Sequence, residues 1–172
     1  DVAVTGVQTC ALPIYVLIDY ENVQPNVAVA LAEPIFTVWV FVGAQQAKVK
    51  FDLLDLVQRK GESARVLRIS GTGRNALDFH ISYYLGRLVQ EFPENYFHVI
   101  SLDTGLDPLL AHLRKEGVQA ARHGCVADIP IVKPAADLTE DEQLTRILEY
   151  LVRRGAQRPA SWKTLTGSIA AL

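Results

Sequence analysis

Four aspartates stand at places where they could act together. Asp19 closes the apolar run Tyr15-Val-Leu-Ile-Asp19. Asp103 closes a second such run, in the segment Ser101-Leu-Asp-Thr-Gly-Leu-Asp-Pro108. Asp78 falls in the first turn or two of a helix expected over 75–89, and Asp107 follows Asp103 by four residues at the start of another helix. Carboxylates gathered in one place repel, and a dry cluster pushes at least one of their pKa values up. A hard divalent cation among them removes the conflict, and carboxylate-and-water shells suit Mg²⁺ or Mn²⁺. The chemistry served by such a site is phosphodiester hydrolysis. The cation orients a water, lowers its pKa and takes up charge on the transferring phosphate. Each acid also has a plainer reading, as a cap for backbone N–H groups. The convergence of three of them, Asp19, Asp78 and Asp103, favours the site.

The elements that must position these acids follow from the hydrophobic pattern. Residues 15–19, 36–42, 64–69, 96–102 and 118–121 are short apolar runs and read as buried strands. Between them, helices are expected over 25–33 (closed by Pro34), 48–60, 75–89 and 108–115, with Gly61 and Gly117 as C-terminal stops. Strands that are apolar throughout, alternating with helices, argue for an α/β fold, a parallel sheet with helices on both faces. In such sheets ligands bind at the carboxyl ends of the strands. With right-handed crossovers, Asp19, Asp78 and Asp103 all face that edge.

Composition narrows the class. The chain has 172 residues, 49% of them hydrophobic and 21% charged, which is the balance of a globular protein. No apolar run reaches the roughly 18 residues needed to span a bilayer, so no membrane partner is expected. Two cysteines make no disulfide framework, which fits a reducing compartment and a cytoplasmic location. A net charge of −2 excludes a protein that binds nucleic acid through its whole surface. Any basic surface is local, and the stretch 48–87 has eight Lys or Arg against four acids.

The ends read differently. There is no methionine at any position, so a fragment is expected. The segment Val4-Thr-Gly-Val-Gln-Thr-Cys-Ala-Leu-Pro-Ile14 looks like the translation of a common sequencing-library adapter, and residues 1–14 are therefore set aside from the fold. Residues 126–138 read as a linker. Thr139-Glu-Asp-Glu142 is a capping-box pattern opening a helix that Gly155 ends. A further helix is expected from Ser161. Residues 139–172 thus read as a truncated small helical, winged-helix-like domain that takes a nucleic-acid or protein partner.

The segments Ile18-Asp19-Tyr-Glu-Asn22, Asn75-Ala-Leu-Asp78-Phe and Ser101-Leu-Asp103 with Asp107-Pro108-Leu109 resemble the PIN-like superfamily. The NYN-type branch is the closer match, and within it a bacterial subgroup carrying an Asn-Ala-Leu-Asp-Phe-His helix. The resemblance covers about 15–122, within a domain read as 15–125. It implies a five-stranded sheet in order 3-2-1-4-5 and a metal-dependent ribonuclease-type site using Mg²⁺ or Mn²⁺. It further implies that Asp19, Asp78 and Asp103 bind metal and act in catalysis. Asn22, Ser101 and Thr104 become supporting polar groups. One departure stands out. The branch usually has a second acid two residues after the equivalent of Asp103, where this chain has Gly105, and Asp107 is offered as the replacement ligand.

Around that site, Lys48, Arg68 and Arg74 are the candidate contacts to RNA or single-stranded nucleic acid, through its phosphates. Tyr20 could stack on a base or simply pack at the rim of the cleft. His80 and His98 lie in apolar elements and read as structural. Two other functional classes remain. A non-catalytic RNA-binding or adaptor module is consistent with Gly105. A receiver-like phosphoacceptor shares the alternating fold, but Ile69-Ser70-Gly71 offers no acid after the third strand.

Overall fold

The computed structural model describes residues 12–23, 30–132 and, within 139–148, Thr139, Glu140, Asp141, Gln143, Leu144, Ile147 and Leu148. Five strands form one parallel sheet: β1 (Ile14–Asp19), β2 (Phe36–Val42), β3 (Ala64–Arg68), β4 (Tyr96–Ile100) and β5 (Gln119–His123). Their order is β3-β2-β1-β4-β5, as the resemblance implied. Three helices cross between them: α1 (Phe51–Lys60), α2 (Ala76–Glu91) and α3 (Asp107–Lys115).

The sheet separates two cores. Along β1, Ile14, Val16 and Ile18 face one side with Val38, Val40, and Leu53 and Leu56 of α1. Tyr15 and Leu17 face the other with Phe97, Val99, and the apolar stripes of α2 (Leu77, Ile81, Leu85, Leu88) and α3 (Leu110, Leu113). A central strand buried on both faces cannot alternate apolar with polar, which is why its sequence is a continuous apolar run. The first polar side chain that it offers is Asp19, at the carboxyl edge. Gly61 ends α1 with φ +53°, its N–H donating to the Val57 carbonyl.

Several boundaries differ from expectation. Ile14, set aside with the first fourteen residues, is fully buried in β1, opposite Phe36 and Tyr96. A β-branched apolar residue after Pro13 suits that buried position. Of the helix expected over 25–33, residues 25–29 lie outside the described residues, and Ala30–Ala32 form a 3-10 turn. The fourth strand stops at Ile100, two residues before the expected end, and the Ser101 side chain that follows donates to Asp19. The first part of the expected linker packs against the sheet: Val126 and Ile129 are buried in the α1-side core. Thr139 accepts from the Gln143 N–H at 2.8 Å, and Glu140, Asp141, Gln143, Leu144, Ile147 and Leu148 are helical. Glu142 of the capping box, Gly155 and the helix from Ser161 lie outside the described residues.

Candidate functional site

Asp19 is fully buried, and its carboxylate is held by four donors. The backbone N–H groups of Glu21 and Asn22 donate to Oδ1 at 3.2 and 3.1 Å. The Asn22 amide and the Ser101 hydroxyl donate to Oδ2 at 2.6 and 2.8 Å. These four donors satisfy the oxygens of the buried carboxylate without water. Ser101 serves both strand ends, because its hydroxyl also accepts from the Asp103 N–H at 3.0 Å. Asp103 in turn accepts from the Gly105 N–H at 2.8 Å, which fixes the loop after β4.

Asp78 enters from the first turn of α2. Burial, and then the charges of Asp103, Asp19 and Glu21, push its carboxyl above the ordinary carboxylate value. The sheet edge thus brings together the three acids expected from the sequence and adds Glu21. Gly105 lies between two of them. A Cβ placed there would stand 3.3 Å from Asp103 Oδ1 and 3.6 Å from Asp78 Oδ2. Position 105 therefore points into the acidic site, and the chain leaves that point empty.

Glu21 was missed as a member of the group. The signal was its spacing of two from Asp19, reinforced by Gly43 at the end of β2. A Cβ at residue 43 would overlap the Glu21 carboxylate, so the glycine makes room for it. A cleft of about 170 Å³, lined by Glu21, Gln45, Thr72 and Ala76 among others, opens beside it.

Asp107 is engaged elsewhere. Both of its oxygens accept from Arg122 of β5, at 2.7 Å from Nε and 3.1 Å from Nη2. The Arg122 hydrogen bond holds the Asp107 carboxyl below its ordinary value. Arg122 also donates to the Ser101 carbonyl at 3.0 Å, and the charge of Asp103 acts on it. Asp107, offered as the replacement ligand, is thus held in a bidentate pair with Arg122 in this structure. Thr104 is exposed, and its carbonyl accepts from the Asp107 N–H at 3.0 Å.

Among the basic candidates, Lys48 and Arg74 are exposed, and Arg68 donates to the Gln46 carbonyl at 3.0 Å. Tyr20 is not available for stacking. It is buried in the α1-side core, with its hydroxyl accepting from the Lys50 N–H at 2.9 Å. His80 bonds the Ala76 carbonyl at 2.7 Å through Nδ1, and His98 is buried against His123 at 3.0 Å, so both have structural partners.

Among the described residues, no three His, Cys, Asp or Glu side chains are already gathered into a cation cage. The donor chemistry nevertheless fits a hard cation: the groups converging on Asp78 are all carboxylates, and their mutual repulsion is what an Mg²⁺ or Mn²⁺ ion would neutralise. No helix among the described residues is long and apolar enough to cross a membrane.

Comparison with the curated proteins and with the solved structures finds no match to this chain. A family model described as PIN domain matches residues 13–123, from the start of β1 to the end of β5. That span is more than half of the chain and contains the whole sheet and every acid of the site, so the chain belongs to the PIN-domain family.

Proposed function

We propose that this protein is a metal-dependent nuclease that hydrolyses phosphodiester bonds in RNA or other single-stranded nucleic acid. PIN domains are generally metal-dependent nucleases. The observation that carries the reading here is the convergence on Asp78 of Asp103, Asp19 and Glu21, which repel it at the carboxyl edge of the sheet. The catalytic acids are Asp19, Asp78 and Asp103, and their carboxylates would hold the cation, Mg²⁺ or Mn²⁺. When bound, it supplies an activated water and neutralises charge on the phosphate.

The chain's own groups do the rest. Ser101 and Asn22 fix the Asp19 carboxylate in one orientation. Ser101 also ties that orientation to the Asp103 backbone. Asp107 supports this edge through Arg122 instead of reaching for the cation. Lys48, Arg68 and Arg74 contact the phosphates of the strand, with Thr104 at the exposed rim. We place the protein in the NYN-type branch and in the cytoplasm, with residues 139–172 as a helical partner-binding domain beyond the nuclease unit.

A second reading has an observation of its own. Gly105 leaves the point between Asp78 and Asp103 without a carboxylate, which fits a module that binds RNA and does not cut it. Cleavage of a labelled single-stranded RNA with Mn²⁺ or Mg²⁺ separates the two. The parent, Asp19→Asn and Asp103→Asn are compared after circular dichroism shows all three folded. Metal-dependent cleavage lost in both variants supports the nuclease. A folded parent that cuts with neither metal sinks it in favour of the binding module.

A further inference from the structure

α2 carries Asp78 on its inner side and an unusual outer side. Phe79, Tyr83 and the adjacent pair Gly86-Arg87 recur at spacings of three or four, and all are exposed, Phe79 by 70% and Tyr83 by 59%. The outer face of a surface helix is ordinarily polar and charged. Here two aromatic rings lie open to water.

These rings are also organised. Tyr83 meets Tyr84 edge to face at 5.1 Å, and Tyr84 is anchored on Trp39 and Phe41 of β2, each at 5.6 Å. The exposed ring is therefore backed by the core, so little freedom remains to be lost on binding. The Arg87 guanidinium lies over the Tyr83 ring, 5.7 Å from its centre. Gly86 sits beside them, and a Cβ there would meet no atom within 4 Å. Its lack of a side chain costs helix stability without relieving any internal crowding, and it leaves a flat approach to the rings. At the other end, Ser70, Phe79, His80, Tyr83 and Tyr84 line a groove of about 340 Å³, within the size range of small-ligand clefts, roughly 300–1,000 Å³.

We propose that this face of α2 is a stacking platform for unpaired bases of the single-stranded nucleic acid on which the acidic site acts. The inference rests on the nuclease reading for its substrate class. Aromatic rings interleaved with arginine are the recurring means of holding single strands without sequence preference, because every base has a flat face to stack. The platform starts one residue after Asp78 and runs away from the sheet edge, so a strand lying on it has its next phosphates near the acids. A duplex offers no free base faces along its length and is excluded by the same geometry.

The test is binding, measured by fluorescence anisotropy in EDTA so that cutting cannot occur. Probes are a labelled single-stranded 12-mer RNA, the same strand in a duplex, and a strand of equal length with abasic sites. The double variant Phe79→Ala/Tyr83→Ala is expected to lose at least about tenfold in affinity for the single strand. Tyr83→Phe keeps parental affinity, and the parent binds the abasic strand as weakly as the double variant binds the intact one. Equal affinity of parent and double variant for the single strand overturns the proposal. So does a parent that does not bind the single strand, or that binds the abasic strand as well as the intact one. Loss of a dimer on sedimentation of the double variant, with RNA affinity unchanged, assigns the face to a second copy of the chain instead. If the platform binds and Mn²⁺-dependent cleavage is absent, the nuclease reading fails and the platform stands.

Discussion

Replacing Ser101 with alanine separates the two strand ends that its hydroxyl joins. That hydroxyl donates to Asp19 Oδ2 at 2.8 Å and accepts from the Asp103 N–H at 3.0 Å, and both Ser101 and Asp19 are fully buried. A hydrogen bond to a charged group contributes about 1.5–3 kcal/mol, and a buried donor left without a partner costs about 1–3 kcal/mol. Asp19 keeps three of its four donors, and Asp103 is exposed, so the low end of both ranges applies. The expected loss is about 2–3 kcal/mol, which lowers Tm by about 10 °C for a domain of this size. Urea denaturation in EDTA reads it, with the slope m unchanged. Asn22→Ala is the internal comparison. It removes one donor from the same carboxylate, but the donor belongs to an exposed side chain, so about 1 kcal/mol is expected. Cleavage by Ser101→Ala should fall on the order of 100-fold, because displacing both acids by about 1 Å spoils their shared geometry. A Ser101→Ala protein within about 0.5 kcal/mol of the parent, a level typical of neutral surface changes, refutes the reasoning. So does an Asn22→Ala protein that loses more than Ser101→Ala.

Three further outcomes follow from the same geometry. Asp78 has its folded pKa raised by burial and by its neighbours' charges, so its contribution to stability is fullest below the unfolded carboxylate pKa and declines as pH rises through the folded value. Metal-free Asp78→Asn should therefore be more stable than the parent at pH 7 and no more stable at pH 3, and denaturation midpoints at the two pH values check this. Gly105→Asp puts a further carboxylate at the empty point between Asp78 and Asp103. It should bind Mn²⁺ more tightly by calorimetry while lowering the metal-free Tm, and an unchanged metal affinity would show that residue 105 does not face the cation. Asp107→Asn loses a half-exposed ion pair, worth less than about 1 kcal/mol. That loss is present above the ordinary carboxylate range and disappears as pH falls through the lowered pKa of Asp107. Its Mn²⁺ affinity should equal that of Arg122→Gln, and a specific loss in Asp107→Asn would make Asp107 a ligand after all.

The parallel sheet was legible because β1, β2 and β4 are buried on both faces, and their apolar runs carry that fact directly in the sequence. Asp19 and Asp103 were legible because each breaks or follows such a run. What escaped depends on register. Arg122 meets Asp107 only because β5 pairs with β4 so that Val99 stands opposite Arg122. Fifteen residues of separation give no local sign of that. Glu21 joins the acids because Gly43, on the neighbouring strand, leaves its carboxylate a place. Val126 and Ile129, spaced by three near prolines, read as linker and became core, since burial there is decided by the sheet face they reach. Tyr20 follows Asp19 and looked like a rim residue, yet the turn after β1 directs it inward to the Lys50 amide.

The two outer strands of the sheet have one property in common. An open strand edge offers unpaired backbone groups to any other chain and is where sheet proteins begin to polymerise. β3 carries Arg65 and Arg68, and β5 carries Arg122. Arg65 is already laid over the Trp39 ring at 4.5 Å, and Arg122 is tied to Asp107. Each edge strand thus carries an arginine held against its inner neighbours, which puts a fixed positive charge beside each edge. Two such edges approaching each other would bring guanidinium against guanidinium, so growth of the sheet from molecule to molecule is opposed at both margins by residues that also brace the fold.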